Sequence, residues 1–313
     1  MNEDAIAAKA IKSKKIGFIG LGMMGEALAL QTQQSGYAVT LLMRAHHGAD
    51  YCAELRSCGA QTFATAREMA ERCDVIILCV TGSPQVEELV FAEHGLLSAL
   101  TPGCVVVDCT TSLPESSRRI AAAITAKGGH FLDAAMTGTP MDAKAGTVNL
   151  LIGGDAAVLE RVRPVLSTFA KNVFLCGAVG AGHSIKLIHQ FVVLSNAAVL
   201  AEAFSFAKKS EVNLGVLCDV IGSGGAASKA FERLKPYVME GQDEFFRFSL
   251  ANALKDMDYY TKMASEAQAV NGIGAAVLQS YTVANNFGLG GKFVPNLVAS
   301  VDKLNGARSV DNE

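Results

Sequence analysis

The chain has 313 residues, half of them apolar and 18% charged, with a formal net charge of −3. That length suggests about two domains with sizeable cores, and the composition excludes wholesale disorder. The near-balanced charge offers no basic stripe and argues against a dedicated nucleic-acid binder.

Residues 1–14 read as a loose tail, mixed in charge and without the apolar core of a secretory signal. Ile16 to Ile19 is a short apolar run expected to form a buried strand. Glu26 to Ser35 has helix-forming composition and stops at Gly36, and Ala38 to Met43 is a second strand. Further on the spacing predicts helices at 51–57, 66–72, 84–91, 115–126 and 156–169. Strands are expected at 75–80, 105–108, 130–133, 148–152 and 171–175. This alternation predicts an α/β unit, a doubly wound, mainly parallel sheet with helices on both faces.

Beyond Gly177 the pattern changes to helices at 184–210, 214–222, about 231–239, 252–267 and 275–286, with a short one after Pro295. The glycines at 177, 180 and 182 place the boundary, giving a domain of 15–178 and an all-α C-terminal domain of 179–313. The longest apolar stretch, Ile188 to Ala207, is broken by Gln190, Ser195, Asn196, Glu202 and Ser205. It reads as a buried helix and not as a membrane span. It is too apolar for one small domain to cover, so a homodimer or homotetramer is expected.

Gly20-Leu21-Gly22-Met23-Met24-Gly25 fits G-x-G-x-x-G, follows a strand and opens a helix, which marks a dinucleotide site of the Rossmann type. Gly20 permits the tight turn, Gly22 lets the backbone approach a pyrophosphate, and Gly25 lets helix and strand pack closely. The helix N-terminus offers N–H groups and partial positive charge to the phosphates. An acid at the end of the second strand would bind the adenosine ribose and favour NAD. Met43 and Arg44 stand there instead, with no Asp or Glu between Ala27 and Ala49. A guanidinium pairs with a 2′-phosphate, so NADP is favoured, with NAD possible. His46 and His47 are also within reach of such a phosphate, or are ordinary loop residues.

Five motifs in order give the chain a resemblance to the β-hydroxyacid dehydrogenase family, which includes 3-hydroxyisobutyrate dehydrogenase and tartronate semialdehyde reductase. They are IGFIGLGMMGEALA at 16–29, DCTTSLPES at 108–116, DAAMTGTPMDAKAGTV at 133–148, GAGHSIKLIHQ at 180–190 and LKDMD at 254–258. The resemblance implies interconversion of a small 3-hydroxy carboxylate with its semialdehyde or 3-oxo acid, with Lys186 as general acid/base. A lysine partly buried at the start of an apolar helix can have its pKa lowered toward neutrality by desolvation; its rival reading is a lysine that snorkels to solvent.

The resemblance also implies that Thr111, Thr137, Gly138, Gln190, Lys255 and Ser228 line the substrate. Val80, Thr81, Thr110, Thr111 and Lys255 would join the glycine turn, Met43 and Arg44 at the cofactor. The site would lie in a cleft at the C-terminal edge of the sheet. Several residues depart from the family pattern. Gln190 replaces an Asn, Thr110 and Thr137 replace serines, Ala135 a Pro, and Thr139 and Asp142 glycines. Gln190 shares a helix face with Lys186 and either meets the substrate or fills a core gap. Asp256 is expected to pair locally.

Two alternatives stay open: an imine reductase on the same scaffold, and a non-catalytic dinucleotide-binding protein. Relatives of both kinds tend to lack the lysine. No H-E-x-x-H or G-x-S-x-G occurs, and His183 with His189 is not a metal spacing. His183 is expected near the cofactor segment and His189 packed in its helix. Eight cysteines, scattered at 52, 58, 73, 79, 104, 109, 176 and 218 without a C-x-x-C pair, read as buried small residues of a reducing, cytoplasmic compartment.

Overall fold

The computed structural model describes residues 14–44, 48 and 50–306. Most of the tail assigned to residues 1–14, and His46 and His47, lie outside the described residues. The chain forms two compact units, divided within one helix between Lys186 and Leu187.

The first unit runs β1 (Lys15–Ile19), α1 (Met23–Gln34), β2 (Ala38–Leu42), α2 (Ala53–Ser57), β3 (Gln61–Phe63), α3 (Ala66–Arg72), β4 (Val75–Leu78) and α4 (Ser83–Phe91). It continues through β5 (Val105–Asp108), α5 (Pro114–Ala126), β6 (His130–Thr137), α6 (Pro140–Lys144), β7 (Val148–Gly153), α7 (Ala156–Leu166) and β8 (Ala170–Gly177). The eight strands form one sheet in the order β3-β2-β1-β4-β5-β6-β7-β8. Only β6 and β7 pair antiparallel; the other six pairings are parallel.

Side-chain alternation along the strands feeds two cores. Ile16, Phe18, Ile77 and Val107 pack on one face. Ile19, Ile76, Leu78 and Val106 pack with Met69, Val86 and Ile124 on the other. All are buried, as strands covered by helices on both faces must be. Strand order reverses between β1 and β4, and a ligand crevice is expected at such a switch point, beyond the carboxyl ends of those strands.

The expected elements are present with shifted ends, and two were not foreseen. β3 is a three-residue edge strand that adds Gln61, Thr62 and Phe63 to β2. β6 does not stop at Asp133 but runs to Thr137, because its second half pairs antiparallel with β7. Thr139 is the N-cap of the short helix α6, and its side chain and that of Asp142 form a reciprocal capping box.

The helix α8 (Ala181–Lys209) crosses the division, and the second unit adds α9 (Leu214–Ser223), α10 (Lys229–Glu240), α11 (Leu250–Glu266), α12 (Gly272–Ala284) and α13 (Leu297–Asn305). Its core gathers Leu194, Phe204, Phe231, Leu250, Met257 and Tyr281. Tyr281 is fully buried, and its hydroxyl donates to the Leu194 carbonyl at 3.0 Å. Among the described residues α8 is long and apolar enough, by length and composition, to cross a membrane. Within its most apolar stretch only 44% of residues are buried in the molecule, so the helix expected to be buried keeps one exposed apolar face, with Ile188, Val192, Val199 and Phe206 each at least half exposed.

Candidate active site

The glycine turn connects β1 to α1. Gly20 has φ +90°, a conformation that side chains rarely adopt. A Cβ there would strike the Cys79 carbonyl, and one at Gly25 would strike the Gly20 carbonyl oxygen. Both glycines are therefore required by close backbone approach. Gly22 differs: a Cβ on it meets nothing within 4 Å. It is exposed, precedes the helix and has no side-chain cap, so no side chain at the N-cap takes up the first N–H groups of α1. This turn fits a dinucleotide pyrophosphate: two positions are tight for internal reasons and the third is left open. Leu21 is buried, and its carbonyl accepts the Tyr51 hydroxyl at 3.0 Å. Met23 is 65% exposed and Met24 half-buried beside the core.

At the end of β2 the Met43 N–H donates to the Phe63 carbonyl at 2.9 Å, and Arg44 follows as an exposed residue. At the end of β4 Val80 is half-buried and Thr81 exposed. The Val80 N–H donates to the Thr110 hydroxyl at 3.1 Å. Thr110 is buried, so its hydroxyl ties the ends of β4 and β5 together, leaving the half-buried Thr111 beside it.

Beneath this loop lies a buried polar cluster that sequence reading missed. Asp108 is fully buried and accepts the Thr110 N–H at 3.0 Å and the Ser112 hydroxyl at 3.2 Å. Burial pushes its carboxyl above the usual carboxylate range, against a counter-pull from His183 and these hydrogen bonds. His183 is fully buried too; its Nδ1 meets the Ser117 hydroxyl at 2.7 Å and its Nε2 lies 4.0 Å from Asp108 Oδ2. Asp133, also fully buried, accepts the backbone N–H of Gly180 at 2.7 Å and of His183 at 2.9 Å. A carboxylate at a helix N-terminus satisfies orphan donors and complements the dipole. It fixes the turn that carries the half-buried Lys186 three residues later. His189, expected to pack, is exposed, because its position on α8 turns outward.

On β6 and its loop, the Thr137 hydroxyl accepts from the Asn149 amide at 3.0 Å, and Gly138 is exposed with φ +128°. The Thr139 N–H and hydroxyl donate to Asp142 Oδ2 at 2.6 and 2.7 Å. The two departures at 139 and 142 are thus one feature, a capping box that rigidifies the loop after Gly138.

In the second unit Gln190 is buried and donates to Asp256 Oδ2 at 2.7 Å. Asp256 Oδ1 pairs with Lys255 Nζ at 2.8 Å, and Lys255 Nζ lies 5.0 Å from the Tyr259 ring centroid. Ser228 accepts the Phe231 N–H at 3.1 Å as the N-cap of α10, which engages the hydroxyl in holding that helix. Among the described residues no group of three or more His, Cys, Asp or Glu is placed to hold a metal ion.

Residues 15–177 match the family model of the NAD binding domain of 6-phosphogluconate dehydrogenase. Residues 180–297 match the model described as NAD-binding of NADP-dependent 3-hydroxyisobutyrate dehydrogenase. The chain is 34% identical over 218 residues to 2-hydroxy-3-oxopropionate reductase of Escherichia coli, covering 70% of this chain and 73% of that one. It is 29% identical over 298 residues to 2-(hydroxymethyl)glutarate dehydrogenase of Eubacterium barkeri, covering 94% and 97%. The solved structure of 3-hydroxyisobutyrate dehydrogenase from Salmonella typhimurium superposes with TM-score 0.80 at 28% identity, covering 92% of this chain and 99% of that one. Fold and glycine turn together define an NAD(P)-dependent oxidoreductase. The chain belongs to the β-hydroxyacid dehydrogenase family.

Proposed function

We propose that the protein interconverts a small 3-hydroxy carboxylate and its semialdehyde or 3-oxo acid, prefers NADP to NAD, and uses Lys186 as general acid/base. The observation that carries this reading is the clamped helix start. Asp133 fixes the first turn of α8 to the sheet, beside the Thr110–Ser112 loop anchored by Asp108, and Lys186 is on the next turn. The three relatives' names describe acids with the hydroxyl or oxo carbon β to a carboxylate, which supports the substrate class.

Gly20, Gly22 and Gly25 with the N-terminus of α1 would hold the pyrophosphate. Met43, Arg44, Val80, Thr81 and Thr110 would flank the rest, with Arg44 toward a 2′-phosphate. A bound nicotinamide supplies or accepts the hydride. Lys186 delivers a proton to the carbonyl oxygen in reduction and removes it from the hydroxyl in oxidation. Thr111, Thr137 and Gly138 offer hydroxyl and N–H donors to a carboxylate. Gln190, Lys255 and Ser228 are assigned to the substrate on family likeness alone; the Gln190 amide is engaged by Asp256.

The protein is further proposed to be a homodimer or homotetramer. Ile188, Val192, Val199 and Phe206 form an exposed apolar stripe on one face of α8, each at least half exposed. Light scattering showing a monomer would count against this.

Replacing Lys186 by Met tests the mechanism. The expected result is a fall in kcat of at least about 100-fold with NADPH affinity unchanged. Turnover at the parent rate would exclude the assigned role.

A further inference from the structure

One buried carboxylate in the helical unit is shared between an amide and an ammonium. Gln190 and Asp256 have 7% and 1% relative exposure, and the Gln190 amide nitrogen reaches Asp256 Oδ2 at 2.7 Å. Lys255 Nζ lies 2.8 Å from Oδ1 as an ion pair, off hydrogen-bond geometry, and sits over the Tyr259 ring. A carboxylate only accepts, so the amide must meet it through its NH2 group, and the orientation of Gln190 follows from chemistry. Next to this link Phe191 stacks on Tyr260, with centroids 4.3 Å apart and planes 2° from parallel, keeping α8 and α11 in register.

A buried carboxylate needs its oxygens satisfied. With Oδ2 taken by Gln190, the Lys255 ammonium is confined to Oδ1. With Gln190 removed, the ammonium becomes the strongest nearby donor for both oxygens and is drawn away from its place over Tyr259. An asparagine at 190 would withdraw the amide by about one carbon–carbon bond, ~1.5 Å, which takes a 2.7 Å bond out of hydrogen-bonding range. The longer side chain is the one this carboxylate requires.

We propose that Gln190 is a positioning residue which, through the buried Asp256 carboxylate, holds the Lys255 ammonium in place. This deepens the function proposed above and rests on Lys255 belonging to that site. It gives Gln190 an indirect role in place of a substrate contact.

A double-mutant cycle on the full chain tests it. The variants are Gln190→Met, Lys255→Met and the pair, with Gln190→Asn as a milder replacement should the methionine variant fold poorly. Two quantities are read: kcat and KM for the best hydroxy acid, and NADPH affinity by nicotinamide fluorescence. Each single variant is expected to lose about tenfold, mainly in KM with kcat within about twofold. The pair is expected to lose no more than Lys255→Met alone, and Gln190→Asn to behave like Gln190→Met.

Losses that multiply in the pair would overturn the proposal and make Gln190 an independent contact. A Lys255→Met variant equal to the parent in both quantities would overturn it by removing Lys255 from the site. If the parent turns over no hydroxy acid, the proposed function fails separately, and the same cycle is decided on NADPH affinity.

Discussion

Asp133 Oδ2 accepts the backbone N–H of His183 at 2.9 Å, joining residues 50 positions apart. Its other oxygen takes the Gly180 N–H at 2.7 Å. The sheet, the start of α8 and, one turn on, Lys186 are tied together through this carboxylate. Asp133→Ala leaves two buried N–H groups without partners. It should cost about 3 kcal/mol, from 1–3 kcal/mol for each orphaned group, measured by urea unfolding. A loss below ~1 kcal/mol would show that the helix start is held by something else.

The glycine turn separates folding from binding. Gly25→Ala forces a side chain against the Gly20 carbonyl and should unfold the protein at lower temperature. Gly22→Ala meets nothing within 4 Å and should leave the melting temperature unchanged. It should nevertheless weaken NADPH binding at least about tenfold, because the methyl stands where the pyrophosphate backbone contact is expected. Equal affinity in Gly22→Ala would argue against the dinucleotide at this turn.

Arg44 sets cofactor choice if the 2′-phosphate lies at the end of β2. Arg44→Asp removes the cation and adds a repelling charge. The NADPH-to-NADH affinity ratio should drop by about 10- to 100-fold, from 1.5–3 kcal/mol for a charged hydrogen bond. Isothermal titration with both nucleotides reads it, and an unchanged ratio would return Arg44 to a solvated surface charge.

The cysteines predict an alkaline limit. Burial raises the Cys52 and Cys73 thiols to about 11 and those of Cys79 and Cys104 to about 12, from an ordinary 9.0. The folded state therefore keeps protons that the unfolded chain releases above pH 9. Stability is intact below that pH and falls as pH rises through the folded values, by about 1.4 kcal/mol per pH unit for each proton retained. Urea unfolding at pH 8, 9.5 and 11 measures this, and a flat profile would contradict it. At pH 8 a thiol reagent should react fast at exposed Cys58 and slowly at these four.

Local signals were the legible ones. The glycine turn and the strand–helix alternation are legible because each is set by neighbours within a few residues. The edge strand Gln61–Phe63 is too short for a period to show, and it exists because β2 offers a free edge. The extension of β6 to Thr137 depends on its antiparallel partner, which local pattern does not name. The Thr139–Asp142 box has a local signature, T-x-x-D, which a comparison with the family pattern shows only as two departures. The Gln190–Asp256 bond and the His183–Ser117 contact each join residues 66 apart, and only tertiary packing reveals them.

The most direct test of the central claim is absorbance at 340 nm. NADPH and NADH are each followed with a panel of short aldehyde acids, and NADP and NAD with the matching 3-hydroxy acids. The predicted result is NADPH consumption that requires a carboxylate on the aldehyde and is slower with NADH. Tight NADPH binding without turnover of any acid in the panel, or turnover confined to imines, would contradict it.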